Sequence, residues 1–188
     1  MVVFLKETKD LILDASLDVF TEKGYTLATT LEISKRASVS EMTLFRHFHT
    51  KNNLFIESIK AAIGESIIDD LIIDVNQTLS EFIRSLLHEK MLMISRHTTL
   101  IKMLIRETLA HTLPQELAFT KMIYNQVIQK ISRYVIHNKL QVDAISFAEM
   151  VVGLLLRYVI MEEKPMYHLM NDDEQNKYLS TYLNILNI

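Results

Sequence analysis

The residues from Thr29 to Lys51 have types and spacing that suggest chemistry in this 188-residue chain. Leu44 and Phe48 stand four apart, so a helix opened by Ser40 and running from Glu41 to Phe48 turns both to one side. Its other side carries Glu41, Met42, Thr43, Phe45, Arg46 and His47. A helix serving packing alone would rarely present that mixture. A second short helix, at residues 31–37, precedes it across Ser38-Val39-Ser40. Two short helices with so brief a break fit a helix-turn-helix. The first would support the second, whose N-terminal turn enters the major groove of DNA.

Other chemistries have less to stand on. The chain has no cysteine, which removes thiol catalysis, disulfides and cysteine zinc sites. The three glycines, Gly24, Gly64 and Gly153, are far apart and cannot form a phosphate-cradling loop. Glu107 and His111 are four apart and could share a metal, whereas His47 and His49 are two apart and cannot face one ion from a helix. The paired Glu-x-x-His motifs of a di-iron bundle are missing. Nucleophile–base pairs, paired carboxylates and cofactor loops are not found either. The chain is therefore read as a non-enzyme without cofactor or metal.

The elements that must position these groups read as helices. Average usage of about 7% Gly and 5% Pro would give roughly 22 such residues; the chain has 3 Gly and 2 Pro. Sandwiches, barrels and doubly wound sheets need more turn residues than that. With 49% hydrophobic residues the chain can bury a core. The expected class is all-α with nine helices. The first ends near Gly24. Thr29 and Glu32 have capping-box spacing for the second, and Ser40 caps the third. Thr50 caps a long fourth helix, Lys51 to about Ile73, with Gly64 inside it as a possible bend. Thr78 and Glu81 open the fifth, to about Arg96. The sixth covers about Thr99 to Ala110. Pro114 opens the seventh, to about Asn138. Asp143 caps the eighth, to about Glu163. Asn171 with Glu174 opens the ninth, to about Leu186. The expected domains are residues 1–50, for DNA binding, and 51–188, helical, with the fourth helix as link.

Residues 9–55 resemble the DNA-binding domain of the TetR family of transcriptional regulators. The resemblance rests on Ile12-Leu13-x-Ala15, Val19-Phe20-x-x-Lys23-Gly24-Tyr25, Thr29-Thr30-x-x-Ile33, Ala37-Ser38-Val39-Ser40 and Thr43-Leu44-Phe45-Arg46-His47-Phe48-x-x-Lys51-x-x-Leu54. It implies a homodimeric, ligand-responsive regulator, typically a repressor, that binds a palindromic operator and is released by a small-molecule effector. The alternative is an architectural or partner-recruiting DNA-binding protein of the same fold without an effector. The resemblance puts Thr30, Phe45, His47 and Lys51 at the DNA backbone, and Ser40, Glu41, Met42, Thr43 and Arg46 on or beside the turn that meets base edges. Arg46 would grip guanine bidentately or clamp a phosphate. Thr43 would offer a hydroxyl and a methyl. Glu41 would accept from cytosine N4 or favour the positive end of its own helix. Three departures from the family pattern are Ser38, where glycine is usual, Phe45, where tyrosine is frequent, and Glu41, acidic at a position facing DNA.

Charge adds little. In residues 1–51, Lys6, Lys9, Lys23, Lys35, Arg36, Arg46 and Lys51 are matched by Glu7, Asp10, Asp14, Asp18, Glu22, Glu32 and Glu41. A neutral domain predicts moderate DNA affinity and a modest salt dependence. Methionines fill irregular space and tolerate varied ligands. Met91, Met103, Phe119, Met122 and Tyr124 are the candidate lining of an effector pocket for a compound with apolar bulk. The eighth helix is apolar on every side from Met150 to Leu156, which predicts burial. Val152, Gly153 and Leu156 there, with Tyr178, Tyr182 and Leu183 on the ninth helix, form the expected dimer interface. Glu149 and Arg157 interrupt the most apolar stretch, and no secretory h-region follows Lys6. The expected setting is the cytoplasm, without a membrane.

Overall fold

The computed structural model describes residues 7–64, 74–113, 119–161 and 165–186. Among them the regular structure is helical throughout. The helices are α1 (Thr8–Leu27), α2 (Thr30–Arg36), α3 (Glu41–Phe48), α4 (Lys51–Ile63), α5 (Leu79–Arg96), α6 (Thr98–Leu109), α7 (Phe119–His137), α8 (Ala144–Met161) and α9 (Asp172–Leu186). The all-α expectation holds, and the expected caps are present. Thr29, Ser40 and Thr50 accept from the backbone N–H three residues on, at 3.1, 3.1 and 3.0 Å. Thr78 with Glu81 and Asn171 with Glu174 close reciprocal capping boxes. Each cap satisfies a donor the helix leaves orphaned, worth about 1 kcal/mol.

Two boundaries differ from expectation. Gly24 interrupts α1 instead of ending it. At φ 78° and ψ 172° it breaks the helical run, and a further turn follows to Leu27. Ala28 N–H donates to the Gly24 carbonyl at 3.3 Å, which closes that turn. The fourth helix stops at Ile63, well short of Ile73, because Gly64 takes φ 76° and ψ 170° as its cap. A glycine read as a possible bend inside the helix is its terminator. Residues 65–73, Pro114 and Glu163 lie outside the described residues.

The chain divides into two compact units, Met1–Asp69 with Met103–Phe119, and Asp70–Lys102 with Thr120–Ile188. In the first, α1 packs on α4 and α2, and α3 packs on α2 and α4. Ile12, Val19, Phe20, Ile33, Leu44, Phe48, Leu54 and Phe55 are its buried centre. Phe20 meets Phe55 edge-on at 4.9 Å. Full burial contributes about 1.5–3 kcal/mol for each large apolar side chain.

In the second unit, α5 packs on α8, on α9 and on a 3-10 turn at Tyr167–Leu169. That turn had no signal in the sequence periodicity. Tyr167 is fully buried within it. The Tyr167 N–H donates to the Tyr158 hydroxyl at 2.8 Å, and Gln175 Nε2 donates to the Tyr167 carbonyl at 2.9 Å. Burial raises the Tyr167 phenol to about 12. Its hydroxyl sits 2.8 Å from His88 Nδ1, so the buried phenol keeps a hydrogen-bond partner.

Candidate nucleic-acid interface

The turn between α2 and α3 is built by a residue in an uncommon conformation. Ser38 takes φ 55°, the left-handed region where glycine is favoured. Its N–H donates to the Lys35 carbonyl at 3.1 Å, and Val39 N–H donates to the Ser34 carbonyl at 2.9 Å. The turn thus closes without the glycine.

α3 is anchored by Leu44 and Phe48, both essentially inaccessible. Its other side is open. Met42 is 82% exposed and Phe45 40%. Arg46 and His47 are exposed as well. The Ser40 hydroxyl accepts from Thr43 N–H, which caps α3, and lies 2.9 Å from the Thr43 hydroxyl. Glu41 is half-buried and accepts a hydrogen bond from the Thr30 hydroxyl. Two residues expected at separate DNA contacts therefore meet each other.

Lys51 is also engaged within the protein. Its ammonium sits 4.6 Å from the centre of the Tyr25 ring and 3.4 Å from the Thr26 carbonyl. Burial holds its pKa below the usual lysine value. Two further cations are committed to ion pairs. Arg36 grips Glu22 bidentately at 2.6 and 2.9 Å. That hydrogen bonding is the main reason the Glu22 carboxyl lies below its ordinary pKa. Lys23 pairs with Glu32 at 2.7 Å. These two ion pairs join α1 to α2. Arg46 carries no ion pair among the described residues and stands on the open face of α3.

Residues 12–57 match the family model for bacterial regulatory proteins of the tetR family. That segment is therefore similar to the N-terminal domain of the tetR family. The matched relatives share that segment alone. The chain is 44% identical over 50 residues to the HTH-type transcriptional regulator YvkB of Bacillus subtilis (strain 168), covering 27% of this chain and 26% of YvkB. It is 35% identical over 52 residues to IcaR, the negative transcriptional regulator of the biofilm operon icaADBC in Staphylococcus aureus (strain Newman), covering 28% of each. The fold extends further. A transcriptional regulator (TerR/AcrR family) from Aquifex aeolicus VF5 superposes with a TM-score of 0.68 at 20% identity, over 96% of this chain and 99% of that one. The fatty acid degradation regulator FadR from Bacillus halodurans gives 0.61 at 19% identity, over 90% and 97%.

The other candidate residues are spread more widely. Met91 is fully buried in the second unit, and Met103 is buried in the first. Met122 and Tyr124 are half-buried in the second, where the Tyr124 hydroxyl donates to Glu149 at 3.1 Å. Phe119 begins α7, and its side chain lies outside the described ones. Glu107, weighed as a metal ligand with His111, accepts from the Thr112 hydroxyl at 2.8 Å and lies 3.3 Å from Arg106.

α8 corrects the expectation of burial all round. Its 18 residues have a mean hydropathy of 1.8, enough by length and composition to cross a membrane. Ala148, Val151, Leu155, Tyr158 and Val159 are nevertheless packed in the core, while Met150, Leu156, Ile160 and Met161 are exposed. The helix is core on one side and open on the other. Gly153 has nothing within 4 Å of where a Cβ would stand. A groove of about 450 Å³ runs along this side, lined by Met150, Leu154, Arg157, Thr181, Tyr182 and Ile185. Leu183 is a second correction. It is 2% exposed, a core residue with no surface to offer a partner. Tyr178 and Tyr182 are half-buried, their hydroxyls 3.0 Å apart, with Arg157 donating to Tyr182 at 2.9 Å.

Sequence patterning missed a charged cluster in the second unit. Lys90, 2% exposed, pairs with Glu89 at 2.8 Å, and buried Lys130 lies 3.8 Å from the other oxygen of that carboxylate. The available signal was a lysine on an apolar stripe, Leu86-Leu87 before Lys90 and Met91 after it.

Proposed function

We propose that this protein is a homodimeric transcriptional regulator that binds a palindromic operator through α2 and α3, acting as a repressor. The carrying observation is α3 itself. Two inaccessible anchors hold it, and Met42, Phe45, Arg46 and His47 stand outward on the segment that matches the family model. A helix so held can enter a major groove as a rigid body. The repressor reading draws on IcaR, a negative regulator.

The dimer reading rests on the open apolar side of α8 and the adjoining groove with α9. A second copy would cover Leu156, Gly153 and Tyr182 and set two α3 helices about 34–36 Å apart, one turn of DNA. A small molecule with apolar bulk would shift that spacing and release DNA, since a ligand moves an equilibrium by its differential affinity for the two states.

The test is selection of a randomised duplex library with the full chain at fixed salt, followed by anisotropy on the winning duplex. Enrichment of a palindrome bound by a particle of twice 21.9 kDa supports the reading. Binding without sequence preference, or by a monomer, sinks it.

A further inference from the structure

The DNA-facing side of α3 has few polar groups left for bases. Met42 and Phe45 offer no conventional hydrogen bond. The Ser40 hydroxyl caps α3 and shares a hydrogen bond with the Thr43 hydroxyl. Beside the Thr43 hydroxyl, Glu41, Arg46 and His47 remain, and Glu41 differs from the other two in its charge and in how it is held. An ionised carboxylate only accepts. Facing the phosphates of a duplex, it is repelled unless a donor comes within reach. In the major groove, guanine offers N7 and O6 and thymine offers O4, all acceptors that would repel it. Cytosine offers the N4 amino group alone, whereas adenine sets its N6 amino group beside the N7 acceptor, which would repel the carboxylate.

The Thr30 hydroxyl fixes this carboxylate from the N-terminal end of α2. A bond from a second helix removes rotamer freedom that a surface glutamate would otherwise lose on binding. It engages Oε1, which leaves Oε2 for a base donor. Glu41 is also the first residue of α3, and in a helix-turn-helix the N-terminal residues of the second helix meet base edges. We propose that Glu41, positioned by Thr30, reads a cytosine in each half-site and rejects thymine and guanine there. This inference rests on the DNA-binding reading above.

The experiment compares wild type, Glu41→Gln, Glu41→Ala and Thr30→Val as full chains, each by duplex selection and by anisotropy at one salt concentration. Circular dichroism melting confirms that each is folded. The wild-type half-site is expected to contain a cytosine whose replacement by thymine weakens binding about tenfold, the scale of one good base contact. Both Glu41 variants should lose that preference while every other position keeps its own. Thr30→Val should weaken the cytosine preference beyond any uniform loss of affinity from its expected backbone contact, a pattern that a purely structural role for Thr30 would not give. Two results overturn the inference and leave the DNA-binding reading intact. One is tighter binding of every sequence alike by Glu41→Gln, the mark of simple charge repulsion. The other is an unchanged selected half-site in both Glu41 variants. A wild type that selects no sequence overturns the DNA-binding reading and this inference together.

Discussion

The Glu107 side chain occupies the space beside Gly24 that any other residue would need: a Cβ built there lies 2.9 Å from Glu107 Cδ. Gly24 also holds φ 78°, which L side chains rarely adopt. Gly24→Ala should therefore cost about 1–2 kcal/mol in backbone strain, with a smaller overlap cost because the flexible end of Glu107 can swing aside. Adding Glu107→Ala should recover the overlap part and leave the strain. A double-mutant cycle in urea measures the coupling, and additive effects would refute the close approach.

Ser38 calls for the opposite substitution. Its left-handed φ of 55° costs a non-glycine residue about 1 kcal/mol. Ser38→Gly should relieve that strain, partly offset by the greater freedom of glycine in the unfolded chain. The expected net gain is about 0.5 kcal/mol. The denaturation midpoint should rise with DNA affinity unchanged. A lower midpoint would mean that the serine hydroxyl contributes more than the turn strain removes.

Arg46 and Lys51 should separate cleanly. Arg46 is exposed, so Arg46→Ala should weaken DNA binding and leave the melting temperature alone. If Arg46 clamps a phosphate, its loss should reduce the slope of log K against log salt by about 0.9 per site; if it grips guanine, sequence preference should relax at one position instead. Lys51 lies over the Tyr25 ring at 4.6 Å. Lys51→Ala should lower both DNA affinity and the melting temperature, the latter by the loss of a cation–π contact worth about 0.5–1 kcal/mol. A Lys51→Ala protein with wild-type melting would show that the ring contact adds nothing.

Much of the first unit was legible because its signals are local. Ser40 caps α3, and Leu44 and Phe48 anchor it, as spacing alone required. Gly24 and Gly64 were legible as special positions, but their dihedral angles depend on what surrounds them. A glycine inside an apolar run can bend a helix or end it, and Gly64 ends one. Long-range pairings were not legible. Thr30 and Glu41 are 11 residues apart, Glu107 meets Gly24 from 83 residues away, and the buried Lys90 and Lys130 share a carboxylate across two helices. Periodicity reports which face of a helix is apolar, and it is silent about which polar group on another helix arrives there. The same limit explains Leu183, whose place on the apolar stripe of α9 suited a partner as well as the protomer's own core.

His97 gives the second unit an acid-sensitive element. Burial is the main cause that lowers its pKa below 6.5, and Arg96 and His168 lower it further. The folded protein therefore binds that proton more weakly than the unfolded chain does. Stability is complete above about pH 6.5 and is lost as the pH falls through the folded value. The melting temperature should fall between pH 7 and pH 5, and His97→Gln should flatten that fall. An unaltered pH profile in His97→Gln would assign the acid sensitivity to other groups.

Leu156 and Leu183 test the dimer reading by contrast, since they occupy similar apolar stripes with opposite surroundings. Leu156 is 42% exposed on the open side of α8, whereas Leu183 is 2% exposed in the core. A charge at Leu156 disturbs a lone protomer little, but in a dimer seam it becomes a buried, unpaired carboxylate. Leu156→Glu should yield a folded monomer of 21.9 kDa by sedimentation, with operator affinity greatly reduced because two linked half-sites no longer act together. Leu183→Glu should instead lose helicity outright, since no partner or solvent can reach the charge. If Leu156→Glu stayed dimeric and bound DNA normally, the seam would lie elsewhere and the open side of α8 would need another occupant.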